Sequence, residues 1–172
     1  MNSMSNVIGF IGFSNSGKTT LIARLVEYFA QEGVRSAVIK HDAHGHYKEA
    51  EGSDSSKYIN AGASAAVVVS PESYVMFRRE AKNLEQMVSL LREQDYDLIF
   101  VEGFKHGRHD RIALIREAEQ ASILHDLQDP PIAVAGPPEL AHLAPAHIPF
   151  LDMNDIGALA KWILARTAAN GV

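Results

Sequence analysis

Val7-Ile-Gly-Phe-Ile-Gly12-Phe-Ser-Asn-Ser-Gly17-Lys18-Thr19-Thr20-Leu-Ile-Ala-Arg-Leu-Val-Glu-Tyr-Phe29 decides the fold. Its first five residues are an apolar run bounded by glycine, the pattern of a buried strand. Gly12 to Thr19 then matches G-x-x-x-x-G-K-[ST] in full. Leu21, Ile22, Leu25, Val26 and Phe29 follow at helical spacing, which predicts an amphipathic helix. Strand, glycine loop and helix in that order are the context a phosphate-binding loop requires. The glycines let the backbone turn its N–H groups inward, and the helix N-terminus adds partial positive charge. The expected nucleotide-binding residues are Gly12, Asn15, Ser16, Gly17, Lys18, Thr19 and Thr20. Lys18 is the residue to reach the terminal phosphates, and the Thr19 hydroxyl is a ligand for Mg²⁺. Two glycines at this spacing recur by chance in many chains. The added Lys-Thr pair and the flanking strand and helix separate the motif from an ordinary glycine-rich turn.

Working outward, 172 residues with 47% hydrophobic content suit one P-loop domain spanning 1–172. The absence of cysteine excludes disulfides, thiolate metal sites and cysteine nucleophiles. A net charge of −5 argues against duplex nucleic acid as the ligand, because phosphate binding over a large surface needs a basic face. The opening MNSMSN lacks a basic region and no apolar run reaches membrane-spanning length, so neither a secretory signal nor a membrane partner is expected. A cytoplasmic location is the matching expectation.

The rest of the chain alternates. Strands are predicted at Val34–Lys40, Ala65–Val69, Tyr74–Arg79, Asp97–Val101, Arg111–Arg116 and Ile132–Ala135. Helices are predicted after the Ser53-Asp54 cap, from Asn83 to Gln94, and from Asn154-Asp155 to Ala168, while Gly33 reads as the stop of the first helix. The expected class is therefore α/β: a P-loop NTPase with a mostly parallel sheet, helices on both faces, and an antiparallel edge extension at Tyr74–Arg79. Ala65–Val69 reads as a buried strand. Arg111–Arg116 alternates and reads as half-exposed. With Tyr74–Arg79 it offers an edge for pairing a second copy into a homodimer.

Ligands bind beyond the carboxyl ends of parallel strands, which directs the search for partners of the loop. Glu102 ends the apolar strand Asp97–Val101, where an acid would hold Mg²⁺ directly or through water. Asp97, at the other end of that strand, reads as a solvated or capping residue. The segment Lys40-His41-Asp42-Ala-His44-Gly-His46 leaves the same sheet edge. Its histidines have spacings open to a metal ion, to phosphate contact or to plain solvation, and Asp42 is a candidate for positioning water or Mg²⁺. His106, Arg108, His109 and Arg111 suit either a second anionic ligand or an ordinary polar loop. His125, His142 and His147 read as surface or core-edge residues.

The Gly12–Leu21 loop, Val38-Ile-Lys-His41, Gly52-Ser-Asp-Ser55 with Ala61-Gly-Ala63, and Asp97-Leu-Ile-Phe-Val-Glu-Gly-Phe-Lys105 together resemble the MobB family, the molybdopterin-guanine dinucleotide biosynthesis proteins B. The resemblance runs in order over residues 6–116 and implies a GTP- and Mg²⁺-binding homodimer. Such a protein assists a MobA-type guanylyltransferase in attaching GMP to molybdopterin, has weak hydrolysis of its own, and has molybdopterin as a candidate ligand. It carries phosphate-loop roles onto Gly12, Gly17, Lys18, Thr19 and Thr20, and the acid role onto Glu102. His41, Asp54, Ser55, Lys105 and Arg108 form a candidate second ligand site. No [NT]-K-x-D guanine signature occurs, and the last predicted strand runs into Gly136-Pro-Pro-Glu139. Preference for GTP over ATP therefore rests on the resemblance. The residues alone also fit a small-molecule kinase, a GTP-dependent metallochaperone or a nucleotide-gated binding module.

Overall fold

The helix that follows the loop is α1, Lys18–Gln31, and its apolar stripe explains where it lies. Leu21, Ile22, Leu25 and Phe29 are all buried on one face of a parallel sheet. In the computed structural model, which describes residues 6–43, 45 and 50–170, that sheet has six strands. They are β1 (Val7–Ile11), β2 (Ser36–Lys40), β5 (Leu98–Glu102), β6 (Asp110–Leu114), β7 (Ala133–Gly136) and β8 (Phe150–Asp152). Their order is β2-β5-β1-β6-β7-β8, and every pairing is parallel. Parallel strands need crossovers, and the helices that make them cover both faces. α1 and α5 (Ile156–Asn170) pack on one face, where Phe10, Phe29 and Phe100 meet with ring centroids 5.9 Å apart. Alternation sends Val7, Ile99 and Val101 to the other face, against Leu84 and Val88 of α3 (Leu84–Arg92).

Local sequence accounts for the element ends. Gly33 has φ of 75° and donates to the Ala30 carbonyl at 3.2 Å, while Val34 donates to Phe29 at 2.9 Å. That double bond is a Schellman stop, and it needs the left-handed residue that glycine tolerates. Asp97 accepts the Arg35 N–H at 2.7 Å and so ties the start of β2, a capping role at the sheet end opposite Glu102.

The chain divides into two compact units, Met1–His41 with Leu84–Val172, and Asp42–Asn83. The smaller unit holds α2 (Asp54–Asn60) and a two-stranded antiparallel hairpin of β3 (Ala65–Val69) and β4 (Tyr74–Arg78). Ser53 caps α2 as its sequence indicates, its hydroxyl accepting the Ser56 N–H at 3.2 Å.

Two strand expectations are corrected. β3 is an exposed strand: Val67, Val68 and Val69 are 50, 48 and 77% accessible. An unbroken apolar run is buried only where layers cover both faces, and β3 pairs with β4 alone. Conversely, β6 lies inside the sheet between β1 and β7, and residues 111–115 are buried. The charge that suggested half-exposure belongs to Arg111, whose guanidinium donates to the carbonyls of Lys105 and Asp129. Buried charge satisfied in this way does not need solvent. β6 therefore offers no edge to a second copy. The three-residue β8, the four-residue α4 (Ile123–Asp126) and the short 3-10 turns at Ala118–Ser122 and Pro138–Leu143 leave too weak a periodicity to read from sequence. Among the described residues, no helix is long and apolar enough to cross a membrane.

Candidate functional site

The loop after β1 is shaped by close contact. Ser16 is fully buried beneath it, and a Cβ on Gly12 would sit 2.9 Å from the Leu114 carbonyl as well as against the Ser16 hydroxyl. Only glycine fits there. Gly17 caps α1 in the left-handed conformation with no side-chain cap, and the first turn carries no acidic residue. The leading N–H groups of α1 are thus not claimed by a side-chain cap, and no acidic residue of the helix itself opposes an anion there.

Lys18 arches back over this loop. Its Nζ donates to the carbonyls of Phe13 at 2.6 Å and Gly12 at 3.1 Å, and reaches the Ser16 hydroxyl at 3.4 Å. Its pKa is lowered, chiefly by burial, with Glu102 opposing that shift and the charges of Lys105 and Lys40 adding to it. Asn15, with φ of 63°, and Thr20 are exposed at the loop and on the first turn of α1.

Because β5 is the neighbour of β1, its carboxyl end delivers Glu102 to the loop. The Thr19 hydroxyl donates to Glu102 Oε1 at 2.8 Å. Glu102 is 9% accessible, so its carboxylate is held in place. A hydroxyl and a carboxylate oxygen side by side form a hard donor set matched to Mg²⁺, which prefers oxygen ligands. Asp97 stands five residues back along β5, roughly 16 Å away at strand rise, too far to share that role.

The same end of the sheet contributes residues with no nucleotide signature of their own. Lys40, the last residue of β2, places Nζ 3.4 Å from Glu102 Oε1. It lies in the Val38–His41 element quoted above, but a role beside Glu102 shows only in the pairing of β2 with β5, which sets the two residues opposite one another. His41 donates its backbone N–H to the Glu102 carbonyl at 2.9 Å and stacks on Phe104 at 4.4 Å between centroids. Lys105 lies over the Phe13 ring at 5.3 Å, a cation–π contact that holds its charge near the phosphate loop.

The candidate second site divides. His41 packs at the carboxyl end of β5 and Lys105 lies over Phe13 of the loop, while Arg108 is exposed on the turn that follows. Asp54 and Ser55 belong to the smaller unit, at the start of α2, where Asp54 pairs with Lys57 at 2.9 Å and Ser55 meets the Ser53 hydroxyl at 3.1 Å. Both take part in the capping turn there. Asp42 opens the smaller unit, exposed, with its carbonyl accepting the Gly45 N–H at 3.3 Å. His44 and His46 lie outside the described residues; among those described, no three His, Asp or Glu side chains are grouped to hold a metal. His125, His142 and His147 are exposed, the surface alternative of the two expected.

His109 is a different case from its neighbours His106 and Arg108. It is 3% accessible, packs over Gly9 and Gly107, and neither ring nitrogen finds a hydrogen-bond partner. Burial, with Arg111 adding to it and Asp110 and Glu85 opposing, pushes its pKa down to about 4. The unfolded chain therefore takes up a proton near pH 6.5 that the folded chain refuses until about pH 4. Stability should be full above pH 6.5 and fall as pH drops toward 4, by up to roughly 3 kcal/mol from this group. Thermal unfolding of wild type and His109→Leu across that window checks this. The substitution should flatten the pH dependence, and parallel curves would contradict it.

Comparison with known proteins adds the following. The family model for MobB, molybdopterin guanine dinucleotide synthesis protein B, matches residues 7–136. The molybdopterin-guanine dinucleotide biosynthesis adapter protein of Escherichia coli K12 is 30% identical over 170 residues, covering 94% of this chain and 93% of its own. The crystal structure of Bacillus subtilis MobB superposes with a TM-score of 0.77 at 24% identity, over 94% of this chain and 97% of that one. HypB from Helicobacter pylori, solved in complex with nickel, shares the fold at a TM-score of 0.57 and 16% identity, over 98% and 89% of the two chains.

Proposed function

From the premise that the chain belongs to the MobB family, we propose that it is a GTP-binding adapter for attachment of GMP to molybdopterin. The observation that carries this reading is the convergence of Lys18, Thr19 and Glu102 on one loop, within the stretch that the family model spans. In this reading the loop amides and Lys18 bind the phosphates, as the uncapped helix end and the ammonium position support. Thr19 and Glu102 hold Mg²⁺, which when bound offsets phosphate charge. Lys105, held over Phe13, adds a further positive charge beside the phosphates.

Intrinsic hydrolysis is weak in this proposal. Among the described residues, no side chain other than Glu102 combines burial, negative charge and a place beside the loop, and Glu102 is taken up by Thr19 and Lys40. The role is then to present nucleotide, with a MobA-type guanylyltransferase as partner and molybdopterin as a second ligand. The exposed valines of β3, with Tyr74, Val75 and Met76 of β4, support a symmetric homodimer formed through this hairpin.

The test is equilibrium titration with GTP and ATP, with and without Mg²⁺, together with sedimentation. GTP should bind at least about tenfold more tightly than ATP, a difference of 1.4 kcal/mol. Equal affinities would remove the guanine preference, and a mass that stays monomeric at every concentration would reject the dimer. Addition to a MobA-type enzyme should raise its yield of the guanine dinucleotide.

A further inference from the structure

We propose that Lys40 is the resident counter-cation of Glu102 and makes divalent-metal binding conditional on nucleotide. The inference rests on the nucleotide-site reading above. Lys40 and Glu102 lie opposite one another across β2 and β5, and the lysine Nζ is 3.4 Å from Oε1. That same oxygen accepts the Thr19 hydroxyl at 2.8 Å. The carboxylate oxygen best placed to serve a divalent ion is thus already shared with an ammonium group. Two cations on one oxygen repel one another, and the weaker-held one must leave.

The two partners differ in freedom. The Glu102 side chain is 11% accessible and the Lys40 side chain 60%. The acid is fixed, whereas the lysine has a long stem along which its charge can move into solvent or onto another anion. The surrounding field sets the direction. Lys18, Lys40 and Lys105 come from α1, β2 and the segment after β5, and the charges of Lys40 and Lys105 both act on Lys18. A divalent cation arriving alone meets Lys40 on the carboxylate, with the charges of Lys18 and Lys105 close by at the loop. A triphosphate reverses the sign of that field and offers oxygens to which Lys40 can transfer. The ion and the triphosphate then enter as a pair, and Glu102 is released to the ion only when the phosphates can accept Lys40.

The experiment is Mn²⁺ binding, followed by electron paramagnetic resonance, to the whole chain with and without a non-hydrolysable GTP analogue. Wild type, Lys40→Met and Lys40→Arg are compared, with circular dichroism as the check on folding. Without nucleotide, Lys40→Met should bind Mn²⁺ at least about tenfold more tightly than wild type, because the competing charge is gone. Lys40→Arg should stay near wild type. In the absence of metal, Lys40→Met should also bind the analogue several-fold more weakly. Unchanged Mn²⁺ affinity in nucleotide-free Lys40→Met, or Lys40→Arg behaving like Lys40→Met, would overturn the proposal. If wild type binds the analogue in a Mn²⁺-dependent way and those failures still occur, the role of Lys40 alone is wrong. If wild type binds no analogue at all, the nucleotide reading fails and the inference falls with it.

Discussion

Lys18→Ala should lower triphosphate affinity by about two to three orders of magnitude while the protein stays folded. Hydrogen bonds from a charged donor contribute roughly 1.5–3 kcal/mol each, and one ammonium can serve two phosphate groups. At 1.4 kcal/mol per tenfold, two such bonds correspond to about 10² to 10⁴, of which the loop amides retain part. The position of Lys18 makes its removal specific. It stands at the first turn of α1, with Nζ on the carbonyls of Gly12 and Phe13, so its charge is already over the loop. Burial disfavours that charge in the protein alone, and a bound anion would relieve the penalty. The core face of α1, from Leu21 to Phe29, does not involve it. Calorimetric titration beside a far-ultraviolet spectrum is the measurement. Wild-type affinity in a folded variant would remove the phosphate-loop assignment.

Glu102→Gln should abolish most of the Mg²⁺-dependent gain in nucleotide affinity. Glutamine keeps the length and can still accept the Thr19 hydroxyl, so the 2.8 Å contact need not be lost. What disappears is the negative charge that would hold or orient a hard cation. It also removes the partner of Lys40, 3.4 Å away, so affinity for nucleotide without metal should hold or rise. The ratio of affinities with and without Mg²⁺ is the quantity to compare. A ratio equal to wild type would take the metal role away from Glu102. Asp42→Asn, tested in parallel, would then show whether Asp42 carries it. Asp97 is bound to the Arg35 backbone at the opposite end of β5.

The phosphate loop is legible in sequence because every part of it is contiguous. An apolar run, two glycines, a lysine, a threonine and a helical stripe are read within Val7–Phe29, and the fold inherits them unchanged. Gly33 and Ser53 are legible for the same reason, since helix stops and caps are made by residues within one turn. Glu102 could be singled out because parallel strands present their carboxyl ends together, whatever their order.

Strand order itself is a non-local choice, and it decided the rest. Placing β5 between β1 and β2 sets Thr19 and Lys40 on one carboxylate oxygen of Glu102, though 83 residues separate Thr19 from Glu102 in the chain. Placing β6 inside the sheet buries Arg111, and His109 is buried just before it, although their sequence context is that of a polar loop. Leaving β3 with a single partner exposes a run of valines that composition alone would bury. Periodicity records which face of an element is apolar; which neighbour covers that face depends on pairing between residues far apart, and only the assembled sheet supplies it.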